Sequence, residues 1–343
     1  MTDLPFEYRT IDRDFFAQYL QERLPERIVD AHIHLNLPKH VADVPRERLL
    51  SDWALEVAHY QTLKTARATA EVLFPCIDYA FTGFPWPIRE ADLRENNAWL
   101  AELQKQGSVR PLMALRPEWP AEDVERVLLD GNFVGFKPYG DLVGNTKGAE
   151  ISIFDFMTHD HLKIADRHRK IVTLHLPRAG RLPDDDNIRE LLEIRDKYPN
   201  IHLIIAHLGR SYNPCHIIEG LDKLGDLSWF LFDTAAVFNP DVYKIAFDHI
   251  SPEQLLYGGD LPITRLRGRR EWTERSYVNL SDGDYTWNTN RKSPEVEATY
   301  TLYLYEQLKA MLDVMDHVGM PDKDRQMIFS CNAKRIFEIG RVE

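Results

Sequence analysis

The sequence predicts an α/β protein built as one (β/α)8 barrel of the TIM type, and three observations predict it. Eight apolar runs of strand length alternate with stretches whose apolar residues recur at helical spacing. The runs are apolar almost throughout, as expected of parallel strands covered on both faces. The first, fifth, sixth and eighth carry His or Asp at or near their ends, and the C-terminal ends of the strands are where such a barrel carries its reactive groups. An open doubly wound sheet is the competing arrangement, but no GxGxxG follows the first run.

The elements follow in order. Residues 1–26 form a helical extension in which Phe15, Phe16, Tyr19, Leu20 and Leu24 share a face. The barrel occupies about 27–340, and the whole chain, 1–343, is expected to be a single domain. The first strand is Ile28-Val-Asp-Ala-His-Ile-His-Leu-Asn36, in which period-two geometry turns His32 and His34 to one face. A long connection from Leu37 to about Ala68 contains helical spacing, and the second strand is expected at Thr69–Ile77, before the aromatic loop Phe81–Pro87. The third and fourth strands are Val109–Arg116 and Phe133–Pro138, preceded by helices over about 89–105 and 121–129. Strands then follow at Ile171–Leu176, Ile201–His207, Trp229–Asp233 and Leu255–Asp260, separated by helices over about 154–168, 186–198, 217–224 and 242–249. A long lid loop after the eighth strand runs to about Pro294, where helical spacing resumes.

Composition narrows the partners. A formal net charge of −12 disfavours nucleic acid and anionic membranes, and no apolar run approaches a membrane span. Cys76, Cys215 and Cys331 are scattered and odd in number, which offers no disulfide framework and suits a reducing cytoplasm. The first residues, Met-Thr-Asp-Leu-Pro, lack the basic and apolar regions of a secretory signal.

His32 and His34 alone would read as two hydrogen-bonded strand residues. His175 closing the fifth strand, His207 the sixth and Asp260 the eighth change that reading, because all five would meet at one barrel mouth. His59, His159, His161, His168, His202, His216, His249 and His317 fall in helices, loops or strand starts and read as surface or core residues.

This order of ligands resembles the amidohydrolase superfamily of metal-dependent hydrolases. Gly135-Phe-Lys-Pro138, Ala206-His-Leu-Gly209, Tyr257-Gly-Gly-Asp-Leu-Pro262 and Asn332-Ala-Lys-Arg-Ile-Phe337 look like its amidohydrolase-2 branch, which contains aminocarboxymuconate-semialdehyde decarboxylase and hydrolase relatives. The resemblance spans about Ile28 to Phe337. It implies hydrolase, lactonase or non-oxidative decarboxylase chemistry. It also implies a special place for Lys137, because binuclear members of the superfamily carry a carboxylated lysine bridging two metals there. An ammonium facing a substrate carboxylate and a structural lysine are the other readings of Lys137.

Imidazoles and a carboxylate are ligands for a borderline divalent ion, zinc above all and manganese as the alternative. Such an ion lowers the pKa of coordinated water from about 15.7 towards 7. His32, His34, His175 and Asp260 are the expected ligands, with Asp260 also the general base. His207 would polarise the substrate or orient water, or hold a second metal together with Lys137.

Substrate residues are expected on the loops. The basic stretch Thr264–Arg275 supplies Arg265, Arg267, Arg269 and Arg270, and Arg178 and Arg210 follow the strand-five and strand-six histidines. All could meet an acid, Trp272 or Trp287 could cover an aromatic or sugar ring, and Trp86, Trp119 and Tyr139 lie on other mouth loops. The first functional reading is hydrolysis of an ester, lactone or amide in a small acidic molecule. The second is decarboxylation of an aromatic or unsaturated acid by a lyase of the same scaffold. The third is a non-catalytic binding protein. A stripe from Tyr300 to Leu312 would serve either the core or a homo-oligomer, such as a dimer.

Overall fold

In the computed structural model the described residues are 4–41, 44–58, 60–143 and 150–338. His59 and the outer limits of the expected extension and barrel, 1–3 and 339–340, lie outside them. Eight parallel strands form the barrel: β1 (Arg27–Asp30), β2 (Asp78–Phe81), β3 (Leu112–Met113), β4 (Gly135–Phe136), β5 (Ile171–Leu174), β6 (His202–Ile205), β7 (Leu231–Asp233) and β8 (Leu255–Leu256). β1 pairs with β2, and β3 to β8 pair in sequence order. Backbone hydrogen bonds close the two gaps. Leu112 N donates to Gly83 O (3.0 Å) between the second and third strands, and Ala31 N donates to Tyr257 O (2.9 Å) between the eighth and the first. A parallel bridge between Ile33 and Leu261 extends that second seam. The chain is thus the predicted closed α/β barrel.

Period two divides each strand between two cores. Ile171 and Ile204 join Val29, Leu112, Val134 and Leu256 inside the barrel. Their neighbours Val172, Leu174, Leu203 and Ile205 pack outward against the helices. Ala333 and Phe337, on and beside the helix Asn332–Ile336, join the inner cluster where the strands begin. That end is plugged by apolar side chains, which leaves the other end for the site.

Three expectations need correction. Thr69–Ile77 is not a strand: Leu63–Leu73 is a helix, capped by Thr62, whose hydroxyl accepts from Thr65 N (3.1 Å). Alanine at 66, 68 and 70 favours helix, and Ala66, Thr69, Ala70 and Leu73 bury one face. The second strand begins later, at Asp78. The expected helix over 154–168 is two helices, Ile153–Phe156 and His159–Arg167, because Thr158 caps the second with a hydroxyl accepting from His161 N (3.3 Å). The excursion after β8 carries an antiparallel hairpin not foreseen from sequence, β9 (Gly268–Trp272) with β10 (Tyr277–Ser281). In the helix Tyr303–His317, Leu304, Leu308, Met311 and Leu312 are fully buried within the chain, so this stripe is core.

Candidate metal centre and active site

The regular part of β1 ends at Asp30, so His32 and His34 sit on its irregular continuation. Asp30 fixes that continuation. Its Oδ1 accepts from the backbone N–H of His32 and of Gly259, each at 2.9 Å, and its Oδ2 accepts from the Tyr79 hydroxyl at 2.5 Å. One buried carboxylate therefore ties the segment carrying two histidines to the segment carrying Asp260. A Cβ on Gly259 would stand 2.4 Å from Asp30 Oδ2, which explains glycine there. Asp260 N also donates to His32 O (2.9 Å).

His32, His34, Lys137, Tyr139, His175, His207, Arg210 and Asp260 all line one cavity of about 200 Å³ at the C-terminal ends of the strands. Nε2 of His32 and of His34 lie 3.5 and 3.4 Å from Asp260 Oδ1. That oxygen is buried without a hydrogen-bond partner among the described residues. Two ligand bonds of about 2.1 Å at a tetrahedral angle would hold their donor atoms about 3.4 Å apart. The spacing, the donor types and the unpartnered oxygen all fit a divalent ion. The donor atoms of His32, His34 and Asp260 gather within 4.8 Å of one another; His175 stands outside this group, with its ring centroid 5.3 Å from that of His207.

The ring nitrogens are arranged for this. His32 Nδ1 donates to Asp233 Oδ2 (2.8 Å), which turns the lone pair on Nε2 towards the cavity. His207 Nδ1 donates to Ala235 O (2.9 Å), with the same consequence. Asp233 Oδ1 also accepts from the backbone N–H of His207 (2.7 Å) and of Ala235 (3.1 Å). His32, His207 and Asp233 form a second close group, but His32 Nδ1 is committed to the carboxylate. Asp233 is thus a partner of the ligands. The sequence reading passed over it, although the rule that singled out Asp260 applies equally to an aspartate ending the seventh run.

Burial keeps the site's imidazoles neutral: it lowers His32 and His34, holds His175 well below its usual value, and brings His207 to about 4. Burial alone would raise the Asp260 carboxyl, but the facing rings of His34, His32 and His207 outweigh it, so Asp260 stays ionised. Lys137 is brought down to about 8 by burial, against the opposing pull of Asp233 and Asp260. Its Nζ sits 3.4 Å from His32 Nε2 and 4.6 Å from the Phe84 ring centroid, with no carboxylate paired to it among the described residues. Tyr139 is pushed up by burial and then by Asp52, and stays a phenol. His207 (φ 58°) and Asp260 (φ 56°) both hold left-handed backbone, a conformation that clusters at functional positions.

Three expected substrate residues are elsewhere. Arg178 is buried on Glu190 (2.9 and 3.1 Å) and Asn187 (3.1 Å), on the helix Asp185–Lys197. Arg267 is buried in an ion pair with Asp12 of the N-terminal extension. Arg265 donates to Pro262 O and lies over Phe6. None of the three lines the cavity, because each guanidinium finds its partner inside the fold. Among the other aromatic candidates, Trp86 lines the cavity, whereas Trp119 packs under Arg94 and Trp287 stacks on Tyr285. Asp52, Trp53, Tyr212, Arg270 and Tyr277 also line it. Asp52 and Trp53 carry no sequence signal, since the long connection reaches the mouth only through tertiary packing.

The family model described as Amidohydrolase matches residues 29–339. No curated protein matches the chain. Among solved structures, an amidohydrolase from Burkholderia multivorans is 9% identical, with 91% of this chain and 99% of that one covered and a TM-score of 0.57. A 5-carboxyvanillate decarboxylase from Novosphingobium aromaticivorans, crystallised with manganese and 4-hydroxy-3-methoxy-5-nitrobenzoic acid, is 14% identical, covering 93% and 97%, at 0.55. A probable 2-pyrone-4,6-dicarboxylic acid hydrolase from Acinetobacter baumannii, with citric acid bound, is 14% identical, covering 91% and 99%, at 0.53.

Proposed function

The chain belongs to the amidohydrolase family, and from that premise we propose that it is a metal-dependent hydrolase of an ester, lactone or amide bond in a small acidic molecule. The observation that carries this is the buried, ionised Asp260 oxygen, which has no hydrogen-bond partner and faces two neutral imidazole nitrogens at 3.4 and 3.5 Å. His32, His34, His175 and Asp260 would hold the divalent ion, zinc or manganese. Bound there, it supplies Lewis acidity, polarising a carbonyl and acidifying water. Asp260 accepts the proton of the attacking water and returns it to the leaving group. His207, with Nδ1 fixed by Ala235 O, presents Nε2 to the substrate oxygen. Lys137, as an ammonium, pairs with the substrate's acid group. In this reading it bridges no second metal.

Decarboxylation of an aromatic acid is the second reading, favoured by a specific observation. Trp53, Trp86, Tyr139, Tyr212 and Tyr277 wall the cavity, a lining suited to a flat ring. The structural neighbours include enzymes described as decarboxylases and as a hydrolase, so the shared fold does not choose between the two. The absence of a cysteine pair supports a place in the reducing cytoplasm.

The experiment follows carbon dioxide release and acid release in parallel over a panel of hydroxybenzoates, lactones and pyrone acids. Acid release without carbon dioxide supports hydrolysis; carbon dioxide release establishes the second reading instead. Asp260→Asn is expected to lower turnover about 10²–10⁴-fold while the protein retains most of its metal, and near-normal turnover would remove Asp260 from its role.

A further inference from the structure

Arg270, on β9, is 5% exposed and lines the cavity. Its Nε donates to Asn279 Oδ1 (3.0 Å) and its Nη1 to Ala236 O (3.2 Å). Nη2 has no acceptor among the described residues, and no carboxylate there pairs with this guanidinium. Instead the group is packed among rings: its Cζ is 4.0 Å from the Tyr277 centroid, 4.5 Å from Phe238 and 4.9 Å from Tyr212. Cation–π contact offsets part of the cost of desolvating a cation but supplies no opposite charge.

Arg210 lines the same cavity and is held with equal firmness. Its Nη1 donates to three carbonyls, those of Leu176 (3.0 Å), Pro177 (3.1 Å) and Arg178 (3.0 Å). With that corner committed, the other edge of the planar fork is left without an acceptor among the described residues, and such an edge matches a carboxylate. Tyr212 and Tyr277, whose ring centroids are 5.0 Å apart, both line the cavity with the two arginines. Arg181 stands behind the rings, 5.1 Å from Tyr212 and 5.6 Å from Tyr277. Arg181 and Arg270 thus pack on one tyrosine pair and Arg210 lines the same cavity, with no carboxylate paired to any of the three among the described residues. Asp52, on the same cavity, is committed to capping Ala54 N (3.1 Å).

We propose that Arg210 and Arg270 form an anion subsite on the wall of this cavity, and that the substrate carries a second carboxylate which binds there. The inference rests on the reading of this cavity as the active site for a small acid. It assigns Arg270 and Arg210 to substrate selection and assigns Tyr212 and Tyr277 to flanking the second acid group.

The test is calorimetric titration of the manganese-loaded protein with isophthalate, terephthalate and benzoate. At least one dicarboxylate is expected to bind roughly tenfold or more tightly than benzoate, the size of one charge-assisted hydrogen-bonded pair. Arg270→Gln and Arg210→Gln should each remove most of that advantage and leave benzoate binding within about twofold, while Arg270→Lys should keep part of it. Unchanged benzoate binding also shows that the variants are folded. Equal binding of all three acids by the unaltered protein, no binding of any, or an advantage that survives both Gln substitutions would overturn the proposal. Turnover on the acid panel separates the two readings. Turnover indifferent to a second carboxylate overturns the subsite alone. Dicarboxylate binding that depends on Arg270, with no acid turned over, overturns the catalytic reading alone.

Discussion

At the scale of single residues the site depends on how ring nitrogens are committed. Asp233 holds His32 in the tautomer that presents Nε2 and also accepts the His207 backbone N–H. Asp233→Asn keeps the size and loses the charge, so it should weaken manganese binding about 10–100-fold, read by competition with a chelator. Unchanged affinity would show that the contact only supports the fold. The comparison of Arg178 with Arg210 shows what residue spacing cannot resolve. Both follow a strand-end histidine, yet one meets Glu190 in a helix and the other faces the cavity. Which carboxylate an arginine meets is decided by packing between distant segments, and sequence position carries no record of it. Asp233 was legible, because it ends an apolar run as Asp260 does. Asp52 was not, because it lies in a connection with no strand-end logic.

At the scale of elements, strands read well where β-branched and apolar residues are bounded by turns, as in Ile171–Leu174 and His202–Ile205. Thr69-Ala-Glu-Val-Leu misled because Thr and Val carry strand preference, whereas the alanines before it and the cap at Thr62 commit the segment to a helix. The β9–β10 hairpin was hidden by its arginines, which read as a substrate-binding lid loop, whereas β9 places Arg270 against three rings. The N-terminal extension is fastened to this region by the buried pair Asp12–Arg267, in which Thr301 Oγ1 also donates to Asp12 Oδ1 (2.9 Å). Arg267→Met leaves Asp12 buried and unpaired, so it should cost about 3–5 kcal/mol in denaturant unfolding. The double replacement with Asp12→Leu should recover much of that loss. A single substitution costing under about 1 kcal/mol would place the pair with weak surface contacts.

At the scale of the whole molecule, several buried histidines make the metal-free protein sensitive to acid. Burial, then the neighbouring His32 ring, brings His207 to about 4; burial, then Arg181 and Arg275, brings His216 to the same value. In the unfolded chain both take up a proton near 6.5, while in the folded chain they resist until about 4. The unfolded state therefore binds more protons in that window, and stability is full above about 6.5 and falls as pH drops towards 4. Denaturant midpoints of the metal-free protein should decline through this range, and His216→Gln should flatten the decline; a profile indifferent to pH would remove the burial argument. The central claim is that the barrel mouth is a divalent metal centre built on His32, His34, His175 and Asp260, and equilibrium dialysis against manganese tests it most directly. The account predicts about one ion per chain, lost in His32→Ala and kept in a variant of the distant His159. Failure to bind the ion, retention by His32→Ala, or about two ions per chain as a lysine-bridged pair requires would contradict it.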